Sequence, residues 1–243
     1  MLELVMENQN FMVVNKPIGM PMHDSEKAII PIAESQFNCE KLWLIHRLDT
    51  DTSGCLLLAK NQQAASNLSQ QFAAKTIQKY YIALIDHKPK KKQGMIKGDM
   101  KKVRNGDWKL TTGQENPAIT QFFSFSLQVE SAKNATSISN DNSRDKHLLP
   151  PAMRICLLKP LTGKTHQIRV ALRSLGSPIV GDKRYKGSES DRMYLHSYAM
   201  KFHYQNEPFE ISCLPKSGAL IGHIHAFLAK QPLPWLMQWP TAT

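Results

Sequence analysis

The run Leu44-Ile45-His46-Arg47-Leu48-Asp49-Thr50-Asp51-Thr52-Ser53-Gly54 places a histidine, an arginine and two carboxylates within six positions, between two apolar segments. Trp43 to Ile45 before it and Cys55 to Ala59 after it are short apolar runs of the kind that bury on both faces as central strands. The polar cluster is therefore expected at the mouth of a core. Thr52-Ser53-Gly54 carries turn chemistry: two hydroxyls that bond nearby backbone, and a glycine that tolerates an unusual backbone angle. A carboxylate held there is exposed yet fixed. Local chemistry alone favours an ordinary Asx-type turn over a catalyst, because such aspartates are common between strands.

Upstream, Leu2 to Met6 and Phe11 to Asn15 flank the polar Glu7 to Asn10 and predict a β-hairpin, after which Lys16-Pro17 forces a turn. Ser25 to Phe37 reads as a helix despite Pro31. Downstream, Asn61 is a good N-cap, and Ala64, Ala65, Leu68 and Phe72 recur at helical spacing among polar positions. Lys79 to Ile85 is aromatic and branched, hence a strand, and a regular strand turns Tyr80 and Tyr81 to opposite faces.

From Lys88 to Lys109 lysines and Arg104 alternate with Met95, Ile96, Met100, Val103 and Trp108 around three glycines, a pattern of basic hairpins able to track phosphates. Strands are expected over Ala118 to Val129 and Pro151 to Pro160. Between them, 131–147 is rich in Ser, Asn and Asp without periodicity and predicts a flexible loop. Ile168, Ala171, Leu172 and Leu175 predict an amphipathic helix that begins at Gly163 with Lys164 and stops at Gly176, with His166, Arg169 and Arg173 on another face. Leu220 to Leu228 reads as a packing helix. His223 and His225 lack a partner carboxylate or cysteine and are read as ordinary helix residues rather than metal ligands.

The 243 residues are 42% hydrophobic, enough for a substantial core, and are read as one domain, residues 1–243. Thirty-one Lys and Arg against 20 Asp and Glu give a net charge of +11, which favours an anionic partner, nucleic acid before membrane. No apolar run has membrane-spanning length and the N-terminus does not read as a signal peptide, so a cytoplasmic protein without membrane association is expected. Cys39, Cys55, Cys156 and Cys213 show no C-x-x-C spacing and read as small core residues.

His46-Arg47-Leu48-Asp49-x-x-Thr52-Ser53-Gly54 resembles the signature of the RluA-type pseudouridine synthases, which isomerise uridine in RNA to its C5-linked form. Val13-Val14-Asn15-Lys16-Pro17-x-Gly19 with His23 resembles the first block of that family, although Asn15-Lys16-Pro17 by itself is an ordinary strand exit. Lys79-x-Tyr81-x-Ala83 resembles a further block. Gly163-Lys164-Thr165-His166-Gln167-Ile168-Arg169 does so too, with Lys164 in place of the usual arginine, and Gly181-Asp182-x-x-Tyr185 continues the match. Tyr194-Leu195-His196-Ser197 is similar to the last block, Ser197 replacing the usual alanine.

The resemblance implies an α/β (α+β) fold, a mixed, largely antiparallel bent sheet with flanking helices around a central RNA cleft. It implies Asp49 as the catalytic carboxylate, Arg169 as its partner and Tyr81 as the ring that stacks on a flipped base. His46, Arg47, Lys164, Ile168 and Leu195 are substrate-binding candidates, with a structural role as the alternative for Arg47. No S4-type module precedes the resemblance, so the catalytic domain is expected to supply its own RNA contacts. An internal rearrangement calls for no cofactor and no metal. The expected partner is tRNA or ribosomal RNA, and the expected state a monomer. Two other readings compete: a catalytically silent RNA-binding protein or chaperone on the same fold, and a glycosidase using Asp51 as a second acid.

Overall fold

The computed structural model describes residues 1–23, 25–127 and 153–241, so the loop predicted at 131–147 lies outside the described residues. β1 (Glu3–Glu7) and β2 (Phe11–Lys16) form the expected antiparallel hairpin. Asn8 closes its turn, its side-chain oxygen accepting the N–H groups of Asn10 and Phe11. α1 (Ile29–Phe37) starts later than expected, so that Pro31 falls in the first turn, where its missing N–H breaks no helical bond. β3 (Trp43–Leu44) is a half-buried two-residue stub and not a central strand, whereas β4 (Ser53–Ala59) is buried along its whole length. α2 (Gln62–Ala73) begins at the predicted cap, Asn61 accepting the Ala64 N–H at 2.9 Å.

β5 (Gln78–Ile85) is followed by the basic segment, which folds as β6 (Gln93–Lys102) and β7 (Trp108–Leu110), then by β8 (Pro117–Ser126) and β9 (Arg154–Pro160). α3 (Gln167–Ser174) starts four residues after Gly163 because Gln167 caps the turn with its own side chain, accepting the Lys164 N–H at 3.0 Å. β10 (Leu195–Tyr204), β11 (Glu207–Ser212) and α4 (Ile221–Leu228) complete the elements.

The described strands form one eleven-stranded sheet along the path β1-β2-β4-β10-β5-β9-β8-β6-β7, with β3 added to β4 and β11 to β10. All pairings are antiparallel except β4 with β10, which gives the mixed, largely antiparallel sheet expected. Alternation, interrupted by register shifts in β1 and β10, divides the strands between two faces. On one face Phe11, Val13 and Leu57 meet Leu68 of α2, and Tyr80, Ile82 and Leu84 meet Ile224 and Leu228 of α4. The segment after α4 closes this face: Trp235 and Trp239 pack against Tyr80. On the other face Met12, Val14, Leu56 and Leu58 meet Ile29 and Ala33 of α1, while Ala83, Ile85 and Leu158 meet Ile168 and Leu172 of α3. Tyr81 touches both of these latter clusters, at the seam between them.

The parallel pairing consists of two registered pairs, His196 with Ser53 and Ser197 with Gly54. Beyond them the two strands diverge, β10 pairing with β11 and β4 with β3. Gly54 makes the approach possible: it sits at φ +119°, and a Cβ there would lie 2.3 Å from the Ser197 carbonyl oxygen. Cys55, Cys156 and Cys213 are buried as expected, but Cys39 at the end of α1 is half-buried. Gly54→Ala is expected to lose about 3–5 kcal/mol of stability through this backbone clash, read by denaturant unfolding.

Candidate active site

Asp49 stands in the loop between β3 and β4 with its side chain 28% exposed. The Thr52 N–H bonds the Asp49 carbonyl at 3.0 Å, and the Gly19 N–H bonds the Thr50 carbonyl at 2.9 Å. The strongest tether is Lys16. Its side chain is fully buried, and Nζ donates to the carbonyls of Pro17 (3.0 Å), Thr50 (2.9 Å) and Thr52 (3.0 Å). Three acceptors take the three protons of an ammonium and wrap the loop around it. Burial pushes Lys16 down to about 8, against the pull of Asp51 and Asp49. Read alone, Asn15-Lys16-Pro17 was a strand exit; the structure gives Lys16 a load that no local pattern announces.

Arg169 reaches the loop from α3. Its Nε and Nη2 fork onto the two oxygens of Asp182, both at 2.8 Å, and Nη1 remains for Asp49 Oδ2 at 3.3 Å. Arg169 and Asp182 are 6% and 1% exposed, so their pairing is a buried one. Burial alone would lower the guanidinium, but Asp182 and then Asp49 hold it above its ordinary value. The guanidinium also stacks over Tyr185, 5.1 Å from the ring centre. Asp182 is presented by Gly181, at φ +80° and so close to the Arg192 carbonyl that a Cβ would lie 1.8 Å from it.

His166 lies just before α3 in the left-handed region, φ 56°, and not on the helix face shared with Arg169 as the spacing predicted. Its Nδ1 bonds the Tyr185 hydroxyl at 2.9 Å, and its Nε2 stands 4.0 Å from Asp49 Oδ2. Burial, aided by Arg169 and Arg184, pushes this imidazole below its ordinary value despite Asp49. Arg173, the third member of the predicted face, is exposed.

Tyr81 faces the cleft and Tyr80 the opposite side, as alternation required. Burial pushes the Tyr81 phenol up to about 12, so the ring is neutral. His46 accepts the Leu57 N–H on Nε2 at 2.9 Å and stacks on Phe72, ring centres 4.4 Å apart; burial and then Lys79 push it down to about 3. One of its nitrogens is thereby committed to the fold. Arg47 is exposed on the rim, and Lys164 donates to the Asn116 carbonyl. Ile168 and Leu195 are buried apolar wall at 7% and 3% exposure.

Asp49, Arg169, Asp182, His166, Tyr81 and the substrate-binding candidates border one cleft of about 1380 Å³, with Lys16 and Tyr185 behind its lining. Eight lysines and arginines border it against four aspartates, a surplus suited to a polyanion. The sequence reading missed Lys16, His166, Asp182 and Tyr185 as site residues, although each stood inside a quoted block.

Comparison with known proteins decides the family. The family model described as RNA pseudouridylate synthase matches residues 10–174. The chain belongs to this family. It is of the RluA type, and its homologues are isomerases named as RNA pseudouridine synthases. An uncharacterized RNA pseudouridine synthase of Haemophilus influenzae is 43% identical over 221 residues, 89% of each chain. Ribosomal large subunit pseudouridine synthase C of Rickettsia bellii is 30% identical over 202 residues, 80% of this chain and 61% of that one. The chain thus spans about three-fifths of the length of that relative. The solved human RNA pseudouridylate synthase domain containing 1 superposes with a TM-score of 0.67 at 23% identity, covering 96% of this chain and 97% of that one, and shares the fold.

Lys16→Met strips three carbonyls of their donor and is expected to cost about 2–4 kcal/mol of stability, measured by urea unfolding. Turnover is expected to fall as pH rises through about 8, when Lys16 in the folded protein yields a proton and one carbonyl bond. Unfolded lysine keeps its proton to its ordinary 10.5, so between these values the unfolded state binds more protons and this group makes stability rise with pH. A falling rate without a falling melting temperature is the expected pH profile.

Proposed function

We propose that this synthase isomerises a uridine of structured RNA to pseudouridine, with Asp49 as the catalytic carboxylate. The single observation that carries the reading is the Asp49–Arg169 ion pair at 3.3 Å on the wall of a basic cleft, with Asp49 still open to solvent and Arg169 locked behind it. In this reading a uridine leaves its stack, its base lies against Tyr81, and Ile168 and Leu195 enclose it. Asp49 drives cleavage of the N1–C1′ bond. The uracil turns in place, C5 bonds to C1′, the C5 proton is lost and N1 gains one. Atoms and electrons balance within the substrate, so the reaction needs no co-reactant.

Arg169 orients Asp49, and the neutral Tyr81 ring offers a flat face of any-base tolerance. Arg47 and Lys164 at the rim are placed for phosphates. A glycosidase fits less well. Asp51 is exposed in the loop, Asp182 is forked onto Arg169, and Asp191 accepts the Tyr194 hydroxyl and the Ala219 N–H, which leaves, among the described residues of the cleft, no second carboxylate placed to exchange protons across a scissile bond. The relatives named for the large ribosomal subunit make ribosomal RNA the first target to examine, ahead of tRNA.

Pseudouridine mapping of total RNA from cells with and without the gene tests the activity: at least one site is expected to disappear, and an unchanged map overturns the reading. Complementation with Asp49→Asn is expected to leave that site unmodified, with a rate at least about 10³-fold below wild type in vitro. Unchanged modification by that variant removes Asp49 from the chemistry.

A further inference from the structure

We propose that Arg192, Ser53 and His196 form a one-way hydrogen-bond relay that positions the Asp49 loop, with Ser53 and His196 as positioning residues of the site. The inference rests on the reading of Asp49 as the reacting group. The three residues are 6%, 4% and 2% exposed, and they meet at the short parallel seam between β4 and β10. Arg192 Nη2 lies 2.7 Å from Ser53 Oγ, Ser53 Oγ lies 2.8 Å from His196 Nδ1, and His196 Nε2 lies 2.9 Å from the Cys213 carbonyl oxygen.

The chemistry of the two ends fixes the direction. A carbonyl oxygen only accepts, so His196 must carry its proton on Nε2. A guanidinium only donates, so Ser53 Oγ must accept from Arg192. The single hydroxyl proton of Ser53 then points at Nδ1, which is bare when the imidazole is neutral. Burial, together with the nearby cation of Arg192, pushes His196 down to about 3 and keeps it neutral. The Cys213 sulfur also stands 3.8 Å from Nε2, but the carbonyl at 2.9 Å is the nearer acceptor, and a proton on Nε2 is the arrangement that satisfies the carbonyl, the serine and the guanidinium together. Such a chain polarises in one sense and resists rotation of the serine.

The position of Ser53 gives the relay its consequence. Ser53 is the first residue of β4 and follows Thr52, whose N–H closes the turn on Asp49 and whose carbonyl is held by Lys16. Lys16 therefore fixes the loop body, while the relay fixes the end where the loop enters the sheet. The seam contributes only two registered backbone pairs there. The other Arg192 bonds, Nε to the Met193 carbonyl and Nη1 to the Ser217 carbonyl at 2.8 Å, tie this end to the loop that follows β11. Among the described residues no carboxylate lies within ion-pair distance of Arg192, so the guanidinium is spent on positioning. A displacement of about 1 Å at a reacting group costs on the order of 100-fold in rate.

The relay makes a spectroscopic statement that needs no variant. With ¹⁵N-labelled histidine, His196 is expected as the neutral Nε2–H tautomer from pH 5 to 8; an Nδ1–H tautomer, or protonation near the ordinary 6.5, overturns the relay. For the kinetic arm, His196→Asn keeps an acceptor near the Nδ1 position and His196→Leu keeps bulk alone. On the RNA found by mapping, Ser53→Ala and His196→Leu are expected to lower the single-turnover rate about tenfold or more with RNA affinity within about twofold of wild type, and His196→Asn to recover most of the rate. Wild-type rates in folded Ser53→Ala, or losses that follow RNA affinity and not the chemical step, overturn the proposal. Asp49→Asn is run alongside: full activity there removes the functional reading itself, while the tautomer decides the relay independently, including when a variant fails to fold.

Discussion

Arg169 has two carboxylates to serve and five N–H groups with which to do it, and the division of those groups governs the site. Asp182 takes the Nε and Nη2 edge in a bidentate fork, which fixes the plane of the guanidinium and leaves the Nη1 corner for Asp49. A lone Arg169–Asp49 pair would be free to swivel in the cleft. Burying a guanidinium without a full counter-charge would also be costly, and Asp182, 1% exposed, supplies that counter-charge away from the reactants. Asp49 is therefore bound by a cation whose burial is balanced chiefly by Asp182. That leaves the carboxylate available to a substrate.

The surroundings follow from this arrangement. Tyr185 lies under the guanidinium, receives the Trp108 N–H and holds His166 by its Nδ1. Through Trp108 the basic β6–β7 segment, read from sequence as hairpins able to track phosphates, is brought to the edge of the site. Lys16 acts on the Asp49 loop by another means, gripping carbonyls rather than the carboxylate. The aspartate is thus oriented both by side-chain charge and by backbone tethering.

Much of this was legible in the sequence for reasons that are local. Period-two alternation told Tyr81 from Tyr80, Asn61 capped α2 as its amide predicts, and Gly54 occupies the unusual backbone angle expected of it. What escaped depends on distant encounters. Lys16 is meaningful only because residues 34 and 36 positions later present their carbonyls to it. Asp182 is decided by a partner 13 positions upstream across a tight turn. His166 was assigned to a helix face because spacing cannot see that Gln167 folds back to cap the turn and throws His166 into a left-handed conformation. β3 failed as a central strand because two residues suffice to fill the space where β4 leaves β10.

The divergence of β4 and β10 after two residue pairs carries one more implication. Asp49 and Lys16 belong to the part of the chain folded around β2 and β4, whereas Tyr81, His166, Arg169 and Asp182 belong to the part folded around β5 and α3. Neither part alone brings the Asp49 carboxylate together with its cation and an aromatic platform. With Asp49 in its proposed role, a nascent or partly unfolded chain would be chemically silent toward RNA, and bond breakage would await the assembly of both parts.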